Sequence, residues 1–414
     1  MDKKYIVLIG TLDTKGEEIG YLRDLIIKRG HRPFIVDIGS GGEPRLDADI
    51  TAKEVAAAVG AQVESLRNSQ ERHKVTEIMI NGAVAKLEAL CSSGNIGGML
   101  SIGGLSSMIM TSEIMERMPY SIPKLIVSSG ASMPGSHRVF GTSGITLMHS
   151  IVDIGGLNYL LKDQLNKAAG AICGMADNEM SNSNINSEKD LPMVAMSVFG
   201  YVDNCSRYIS EALAGKFELI RFHAAGTPEI AMEKLIEDGF FSAVIDLVPS
   251  SITNTKLGGS RTSWPRRMEA AGIMGVPQVI APAGVNTLSR VNVPMEELAP
   301  ELKIRKHNIM DDRRVTVYLN EQELEDITML YIEKLNKAVG PTKFLVPMKG
   351  WLSVEKEDSD LYDRKSAQLF ADLLKRHLKK EIEVVEVEDN IDSPAFAEAI
   401  VAAFYAVLEQ KRQI

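Results

Sequence analysis

The sequence predicts an α/β protein of two lobes, each built on a mainly parallel, doubly wound sheet, with a cleft between the lobes. Short apolar runs rich in β-branched residues alternate with segments whose apolar residues recur at helical spacing. The same alternation begins again after a polar stretch near the middle of the chain. Repeated strand–helix–strand units imply parallel strands joined by right-handed crossovers. We therefore expect an N-terminal lobe over residues 1–178, a linker over 179–190 and a C-terminal lobe over 191–414.

The N-terminal lobe opens with its clearest strand–helix–strand unit. Residues 5–9 form a short apolar strand, the helical spacing of Ile19, Leu22 and Ile26 continues up to Gly30, and "PFIVDIG" follows as the second strand. The remaining pattern predicts helices over 52–69 and 75–91, the strand "GGMLSI", the helix "LSSMIMTSEIMERM" and the strand "PKLIVSS". A glycine-rich, irregular stretch follows over 130–144.

The C-terminal lobe repeats this scheme after "MADNEMSNSNINSEKD", which is polar and almost free of large aliphatic residues. Its predicted strands are "PMVAMSVFG", "FELIRFHAAG", "FSAVIDLVP", "PQVIAPAG", "TKFLVPMKG" and "EIEVVEVED". Helices are expected after Pro228 and over 363–379 and 394–410. The segment "RKHNIMDDRR" is expected to be charged and exposed.

Composition narrows the function classes. The 414 residues are 45% hydrophobic with a net charge of −9 and no run of basic residues, which argues against nucleic acid and anionic membranes as partners. The three cysteines are scattered without a CxxC pair, so a disulfide framework or structural zinc site is not expected. The apolar start is too short for a signal peptide, and no apolar run reaches the roughly 18 residues that a transmembrane helix needs. We therefore expect a cytoplasmic protein.

Ligands of parallel sheets bind past the carboxyl ends of the strands, which directs attention to the loops there. The first loop is "GTLDTKGEE", with Thr11, Asp13, Thr14, Lys15 and Gly16 in six positions. Thr14 and the glutamate three residues later predict a capping box, and a helix N-terminus with a nearby lysine can bind an anion. Asp13 could hold a metal or a ribose hydroxyl. The pattern alone leaves open whether the loop is a phosphate site or only a capped turn.

Two further positions in the N-terminal lobe fit a nucleotide site. Asp37 ends the second strand, where dinucleotide folds place the acidic residue that binds a ribose hydroxyl, although a turn aspartate is an equal alternative. In "SIGGLSSMI", Gly103 and Gly104 allow close backbone approach to a ligand, and Ser106 and Ser107 can donate to phosphate oxygens. A tight, serine-capped turn is the alternative.

The long loop "SSGASMPGSHRVFGTSG" adds candidate donors, because long polar loops inside compact domains are often functional. Its hydroxyl candidates are Ser129, Thr142 and Ser143, and His137 and Arg138 could contact phosphate. A plain surface loop is the alternative.

The C-terminal lobe has two candidate loops. In "RFHAAGTPE", His223 ends a strand as a possible acid or base, and Gly226 and Thr227 precede a helix for which Thr227 is the expected N-cap. In "TKLGGSRTSWPRR", Gly258, Gly259 and Arg261 form either a phosphate clamp or an ordinary loop.

The ordered set "VLIGTLDTKGEEIGYLRD", "SIGGLSSMI", "GTSGITLMHSIVDIGGLN", "FHAAGTPEIAMEKLIEDG" and "DSPAFAEAI" resembles the UPF0261 family of Tm-1-like ATP-binding domain proteins, essentially end to end. The resemblance implies two Rossmann-like lobes, a homodimer, and ATP with Mg²⁺ in the N-terminal lobe. It supports as nucleotide-site candidates Thr11, Asp13, Thr14, Lys15, Gly16, Gly103, Gly104, Ser106, Gly141, Thr142 and Ser143. In the C-terminal lobe it covers His223, Gly226, Thr227, Gly258 and Gly259.

The first interpretation is thus a nucleotide-binding protein that acts on or senses a small anionic metabolite in the cleft between the lobes, with His223 as acid or base. A nucleotide-independent lyase or isomerase of a small sugar acid is the second, and a non-catalytic nucleotide-sensing module that binds a protein is the third. In the plant member of the family a TIM-barrel domain follows the shared unit, so a partner protein of that type is an expectation. The antiviral role of the plant protein is not carried over.

Overall fold

The structure is a computed structural model that describes residues 4–133, 136, 144–178, 191–263 and 265–413. The chain divides into two compact units, Met1–Ser187 and Glu188–Ile414. The segment 179–190, predicted as a linker, lies outside the described residues.

The N-terminal unit is a five-stranded parallel sheet with the order β2-β1-β3-β4-β5. Its strands are β1 (Tyr5–Gly10), β2 (Arg32–Asp37), β3 (Ile96–Gly103), β4 (Lys124–Ser128) and β5 (Ile145–His149). Its helices are α1 (Leu12–Lys28), α2 (Ala52–Ala57), α3 (Val63–Arg67), α4 (Arg72–Ser92), α5 (Leu105–Glu116) and α6 (Tyr159–Ala176).

Helices cover both faces of this sheet. Since alternate residues of a strand point to opposite faces, each strand contributes side chains to two apolar clusters. On β1, Val7 and Ile9 pack in the apolar cluster that includes α4 and α5. Ile6 and Leu8 pack in a second cluster that includes α1 and α6. The near-continuous apolar strands of the sequence are therefore explained by burial on both faces.

The C-terminal unit repeats the topology in a six-stranded parallel sheet of order β14-β13-β9-β8-β6-β7. A small antiparallel sheet of order β10-β12-β11 is inserted between β9 and β13. The strands are β6 (Met193–Val198), β7 (Glu218–His223), β8 (Ala243–Asp246), β9 (Gln278–Ile280), β10 (Thr287–Val291), β11 (His307–Asp311), β12 (Arg314–Tyr318), β13 (Thr342–Pro347) and β14 (Ile382–Val387). The helices are α7 (Asp203–Leu213), α8 (Thr227–Glu237), α9 (Ser251–Leu257), α10 (Ala270–Ile273), α11 (Pro300–Lys303), α12 (Glu321–Leu335), α13 (Arg364–His377) and α14 (Pro394–Gln413).

When the strands of each parallel sheet are renumbered in chain order, the first five lie side by side in the order 2-1-3-4-5 in both units. Doubly wound sheets of this order bind ligands beside their first strand. The predicted α/β fold class with two mainly parallel sheets is therefore confirmed. No helix in the described part of the chain is long and apolar enough to cross a membrane.

One element prediction is wrong, and one segment contains an element that the sequence pattern did not predict. The helix expected over 52–69 is divided into α2 and α3, because Gly60 takes a left-handed φ of 78° that ends a helix. The segment expected to be merely charged and exposed forms β11 and the start of β12, where Asp311 pairs with Arg314 across the turn. The charged residues at this turn interrupt the apolar alternation from which strands are predicted, so the sequence pattern did not predict the hairpin.

Candidate functional site

The candidate site of the N-terminal unit lies at the carboxyl ends of β1 and β3, which are neighbours in the sheet. The helices that follow these strands leave in opposite directions, since α1 packs on one face of the sheet and α5 on the other. Such a switch point creates a crevice between the two loops, and it is where doubly wound sheets bind their ligands. The loops "GTLDTKGEE" and "SIGGLSSMI" therefore flank one crevice, as their positions at strand ends predicted.

The first loop begins its helix earlier than the sequence suggested. Helix α1 starts at Leu12 with Thr11 as N-cap, so the predicted capping box with Thr14 as N-cap is wrong. The hydroxyls of Thr11 and Thr14 instead bond to each other at 2.7 Å, and Lys15 interrupts the helix with φ −119° and ψ 17°. In this kinked first turn the two threonine hydroxyls bond to each other and do not cap the helix.

Lys15 and Gly16 have structural partners. The Lys15 ammonium donates to the carbonyl oxygen of Ile154, in the segment that follows β5. A Cβ on Gly16 would stand 2.9 Å from the Cβ of Arg45, so close packing explains this glycine. Lys15 would have to exchange its carbonyl partner for a phosphate in order to bind a nucleotide.

Asp37 is buried, and its carboxylate organises the backbone around the crevice. Its Oδ1 accepts the amide N–H groups of Leu12 at 3.0 Å and of Gly39 at 2.8 Å. Burial raises the pKa of Asp37, and the negative charge of Asp13 acts in the same direction, whereas these two amide donors oppose them. The residue proposed to bind a ribose hydroxyl thus also fixes the start of α1.

Asp13 lies beside Asp37, and its two carboxylate oxygens differ. Its Oδ2 accepts the amide N–H of Gly41 at 2.9 Å, whereas its buried Oδ1 has no hydrogen-bond partner in the part of the chain that the structure describes. A Cβ on Gly39 would stand 2.9 Å from the Asp13 Oδ1 and 3.0 Å from the Asp37 Oδ1, which places both carboxylates against this glycine. Since buried oxygens are normally satisfied, the Asp13 Oδ1 is suited to a cation or a hydroxyl donor.

The second loop leaves the N-terminus of α5 open. Gly104 is the N-cap with an extended backbone, no side chain caps the helix, and its first turn carries no acidic residue. A Cβ on Gly104 would meet no atom of the described residues within 4 Å, whereas one on Gly103 would stand 2.4 Å from the Cβ of Ser107. Gly103 therefore serves packing, Ser106 is exposed, and the first amides of α5, like those of any helix, have no acceptor within the helix itself.

The loop after β4 is only partly described. Ser129 donates to Asp153 Oδ1 at 3.4 Å, and the same oxygen accepts the Ile154 amide at 2.9 Å. This contact joins the loop to the segment that receives Lys15. Gly141, Thr142 and Ser143, together with His137 and Arg138, lie outside the described residues.

In the C-terminal unit, the corresponding switch point lies between β6 and β8 and contains a charge cluster that sequence reasoning missed. Arg267 is 1% exposed and forms a bidentate pair with Asp246 at 2.6 and 2.8 Å. It also bonds Glu229 and Glu233, each at 3.0 Å. Burial raises the pKa of both glutamates, and Arg267 opposes that shift. The available signal was a pair of glutamates four apart on α8, with an aspartate ending the apolar strand β8.

The residues predicted in the C-terminal unit are of two kinds: the glycines and Thr227 are explained by the backbone, and His223 and Arg261 carry ionisable side chains. Gly226, not Thr227, is the N-cap of α8, with φ 99° and the Thr262 carbonyl oxygen 2.1 Å from where a Cβ would stand. The N-cap assignment of Thr227 is therefore wrong. Gly258 ends α9 in the left-handed conformation, and a Cβ on Gly259 would collide with the Asn254 side chain at 2.0 Å.

His223 and Arg261 are brought close together at the carboxyl edge of the sheet. His223 ends β7, and the Arg261 guanidinium lies over the Phe199 ring, 6.0 Å from its centroid, just past β6. Burial lowers the pKa of His223, and the positive charge of Arg261 lowers it further. No group of three or more His, Cys, Asp or Glu side chains able to hold a metal ion occurs within the described ranges.

Comparisons with known proteins identify relatives along the whole chain. Family models described as the N-terminal and C-terminal domains of the uncharacterised protein family UPF0261 match residues 4–181 and 191–408. A UPF0261 protein of Clostridium tetani is 32% identical over 99% of this chain and 100% of its own. One from Rhizobium meliloti is 30% identical over 97% of this chain and 98% of its own.

More remote similarities are weaker. The ToMV resistance protein Tm-1(GCR237) of Solanum lycopersicum is 26% identical over 99% of this chain and 56% of its own length. Among solved structures, an α/β hydrolase from Novosphingobium aromaticivorans has a TM-score of 0.27 at 10% identity, covering 54% of this chain and 90% of its own. The UDP-GlcNAc 2-epimerase of Methanocaldococcus jannaschii has a TM-score of 0.21 at 10% identity, covering 67% of this chain and 83% of its own. At these scores neither structure informs the function.

Proposed function

The chain belongs to the UPF0261 family, and we propose that its N-terminal unit binds a nucleotide, ATP with Mg²⁺, at the switch point between β1 and β3. Two observations carry the proposal: neither an N-cap side chain nor an acidic residue of the first turn offsets the N-terminus of α5, and the Asp13 Oδ1 has no hydrogen-bond partner among the described residues. Exposed amides and the helix dipole attract phosphate. A free carboxylate oxygen accepts what a nucleotide also brings, a magnesium ion or a ribose hydroxyl.

The two carboxylates require that the phosphates arrive with a cation. Asp13 and Asp37 would repel a bare triphosphate, and Lys15 is engaged by a carbonyl oxygen. Mg²⁺ is usually held by one or two carboxylates together with substrate phosphates, and the Asp13 Oδ1 fits that pattern. When bound, the ion would neutralise phosphate charge beside Asp13, while the amides at the start of α5 hold phosphate oxygens.

Asp37 has a second role in this proposal. Because its Oδ1 already accepts two amide N–H groups, it holds the first turn of α1 against the Gly39 segment. A ribose hydroxyl would therefore bond through the other oxygen, Oδ2. The expected effect of an Asp37→Asn change is a weaker site without loss of the turn, since the asparagine carbonyl oxygen can still accept both amides.

The decisive experiment places a negative charge at the open helix end without disturbing the fold. Gly104→Asp is accommodated, because the position has an extended backbone and open space, and aspartate is a good N-cap that stabilises by roughly a few tenths of a kcal/mol. Titration calorimetry with MgATP should show binding by the wild type and by Gly104→Ala. Affinity should fall at least about tenfold in Gly104→Asp, a loss of ~1.4 kcal/mol.

Absence of binding heat in the wild type, or equal affinity of the aspartate and alanine variants, would overturn the nucleotide proposal. Magnesium dependence supplies a second check. Asp13→Asn should abolish the increase in ATP affinity that Mg²⁺ gives to the wild type. Release of phosphate or ADP during incubation separates a nucleotide-consuming enzyme from a module that only senses the nucleotide.

A further inference from the structure

The loop that carries Arg261 is fixed on both sides by hydrogen bonds. The Ser260 amide donates to the Ser289 carbonyl at 2.9 Å, and the Ser260 hydroxyl accepts the Val291 amide at 2.9 Å. On the other side, the Ser263 amide donates to the Thr255 hydroxyl at 2.9 Å. Arg261 therefore extends from an anchored backbone, so that mainly its side chain has to be ordered when it binds a ligand.

The anchored guanidinium lies at the position where the fold binds ligands. It is centred 6.0 Å from the Phe199 ring, in the residue that follows β6 at the switch point. Phe199 packs edge-on against Tyr201, with ring centroids 5.3 Å apart. His223 closes the same edge from the end of β7.

Arg261 has no counterion among the residues that the structure describes. The negative charge of Glu229 acts on Arg261, but both carboxylate oxygens of Glu229 already accept other donors. Its Oε1 accepts from Ser251 at 2.5 Å and from Arg267 at 3.0 Å, and its Oε2 accepts the Gly226 amide at 2.9 Å. Burial lowers the pKa of Arg261, which is the expected response of a partly desolvated cation without a partner.

Tyr201 supplies a hydrogen-bond donor beside this cation. Its hydroxyl oxygen accepts the side-chain N–H of Asn308 at 2.7 Å, which leaves the phenolic proton available for a ligand. The phenol ring packs against Phe199, the same ring over which the Arg261 guanidinium lies. A planar fork of N–H donors with an adjacent O–H donor matches the oxygens of a carboxylate or a phosphate.

We propose that Arg261 and Tyr201 form an anion-binding site in the C-terminal unit that recognises the carboxylate or phosphate group of a small-molecule ligand, next to His223. The site is separate from the nucleotide proposal and does not depend on it. A bound anion supplies the missing counterion of Arg261, and the partial burial of that side chain strengthens the pairing relative to one in bulk water.

The test uses the His223 imidazole as a local reporter in the full chain. Nuclear magnetic resonance follows its ring protons, assigned with a His223→Gln variant, during titration with inorganic phosphate and separately with succinate. Binding of either anion should raise the pKa of His223 saturably, because it offsets the charge of Arg261. Asp203 also acts on this pKa, but it does so equally with and without the anion.

Arg261→Gln should abolish the saturable response and raise the His223 pKa in the absence of anions. The matched control is Arg207→Gln on α7, an exposed arginine that pairs only with Glu211 among the described carboxylates and should behave as the wild type. A response to phosphate alone identifies a phosphate ester as ligand class, and a response to succinate alone identifies a carboxylic acid. Lack of response to both anions, or an unchanged response in Arg261→Gln, overturns the proposal.

Tyr201→Phe keeps the ring packing and removes the hydroxyl, which is both the proposed donor and the acceptor for Asn308, so it decides the question if Arg261→Gln does not fold. Its anion affinity should fall about tenfold, and an affinity equal to that of the wild type overturns the proposed site. Gly104→Asp, which blocks the nucleotide site, should leave the His223 response intact. Failure of either site is thereby distinguished from failure of the other.

Discussion

Removal of the Arg267 side chain should strongly destabilise the C-terminal unit, because this arginine neutralises three buried carboxylates. The change Arg267→Met keeps the unbranched shape and much of the volume but removes the bonds to Asp246, Glu229 and Glu233. Breaking a buried ion pair by removing one partner costs ~3–5 kcal/mol, and the three carboxylates share a single cationic partner, so their costs do not simply add. At about 2–4 °C per kcal/mol for a unit of this size, the melting temperature should fall by about 6–20 °C.

The deficit should depend on pH in a definite direction. Burial raises the pKa of Glu229 and Glu233, and loss of Arg267 removes the charge that opposes this rise. The folded variant then binds more protons than the unfolded chain between the ordinary glutamate pKa and the raised value. Its stability increases as the pH falls through that window, so the difference from the wild type should shrink between pH 7 and about pH 5.

Urea unfolding followed by tryptophan fluorescence measures this deficit in the correct unit, because both tryptophans, Trp264 and Trp351, belong to the C-terminal unit. Arg207→Met removes an exposed arginine and should change stability by less than about 0.5 kcal/mol. Stability of Arg267→Met within about 1 kcal/mol of the wild type, or a deficit that is the same at both pH values, would refute the reasoning.

Three further outcomes follow from local geometry. Gly226→Ala should lower the free energy of unfolding by about 2–4 kcal/mol, because φ is 99° and the new Cβ would lie 2.1 Å from a backbone carbonyl oxygen. The control Gly215→Ala, with φ 73° and no described atom near the new Cβ, should lower it by about 1 kcal/mol, and equal losses would contradict this explanation. Gly39→Ala would crowd the Asp13 Oδ1 at 2.9 Å and should weaken MgATP binding by calorimetry, whereas unchanged affinity would place the nucleotide elsewhere. In the native protein a thiol reagent should react slowly with Cys91, which is half-buried and whose pKa is raised by burial, and should not react with the two buried cysteines. Rapid labelling of all three cysteines would contradict the described packing.

The alternation of apolar runs and helical spacing predicted the parallel, doubly wound sheets, because strands covered on both faces must be apolar throughout. Residues 5–9 and the spacing of Ile19, Leu22 and Ile26 correspond to β1 and to the buried face of α1. The caps were predicted less well. Thr14 and Thr227 satisfy capping patterns, but the chain begins each helix where backbone contacts, such as that of Leu12 with Asp37, allow it.

The charged groups show the limit of sequence reasoning about a site. Asp13, Asp37 and His223 were identified as candidates from their places at strand ends, a rule that needs only the order of elements, and Arg261 was identified from the glycine pair beside it in a basic loop. The sequence did not show that the Gly41 amide, from the segment after β2, bonds the Asp13 Oδ2 and that the Asp13 Oδ1 is left without a partner among the described residues. Partners of that kind are set by distances between segments far apart in the chain.

The sequence by itself determined the fold class, since apolar periodicity is a local property that each strand and helix carries in its own residues. Only the tertiary structure decided which charges are neutralised and which are not. Arg267 and Arg261 lie within one short loop and look alike in sequence, yet Arg267 is enclosed by three carboxylates, whereas Arg261 has none in the described structure. The difference arises because side-chain electrostatics depend on distance through space and on burial, and neither quantity is present until the strands are assembled.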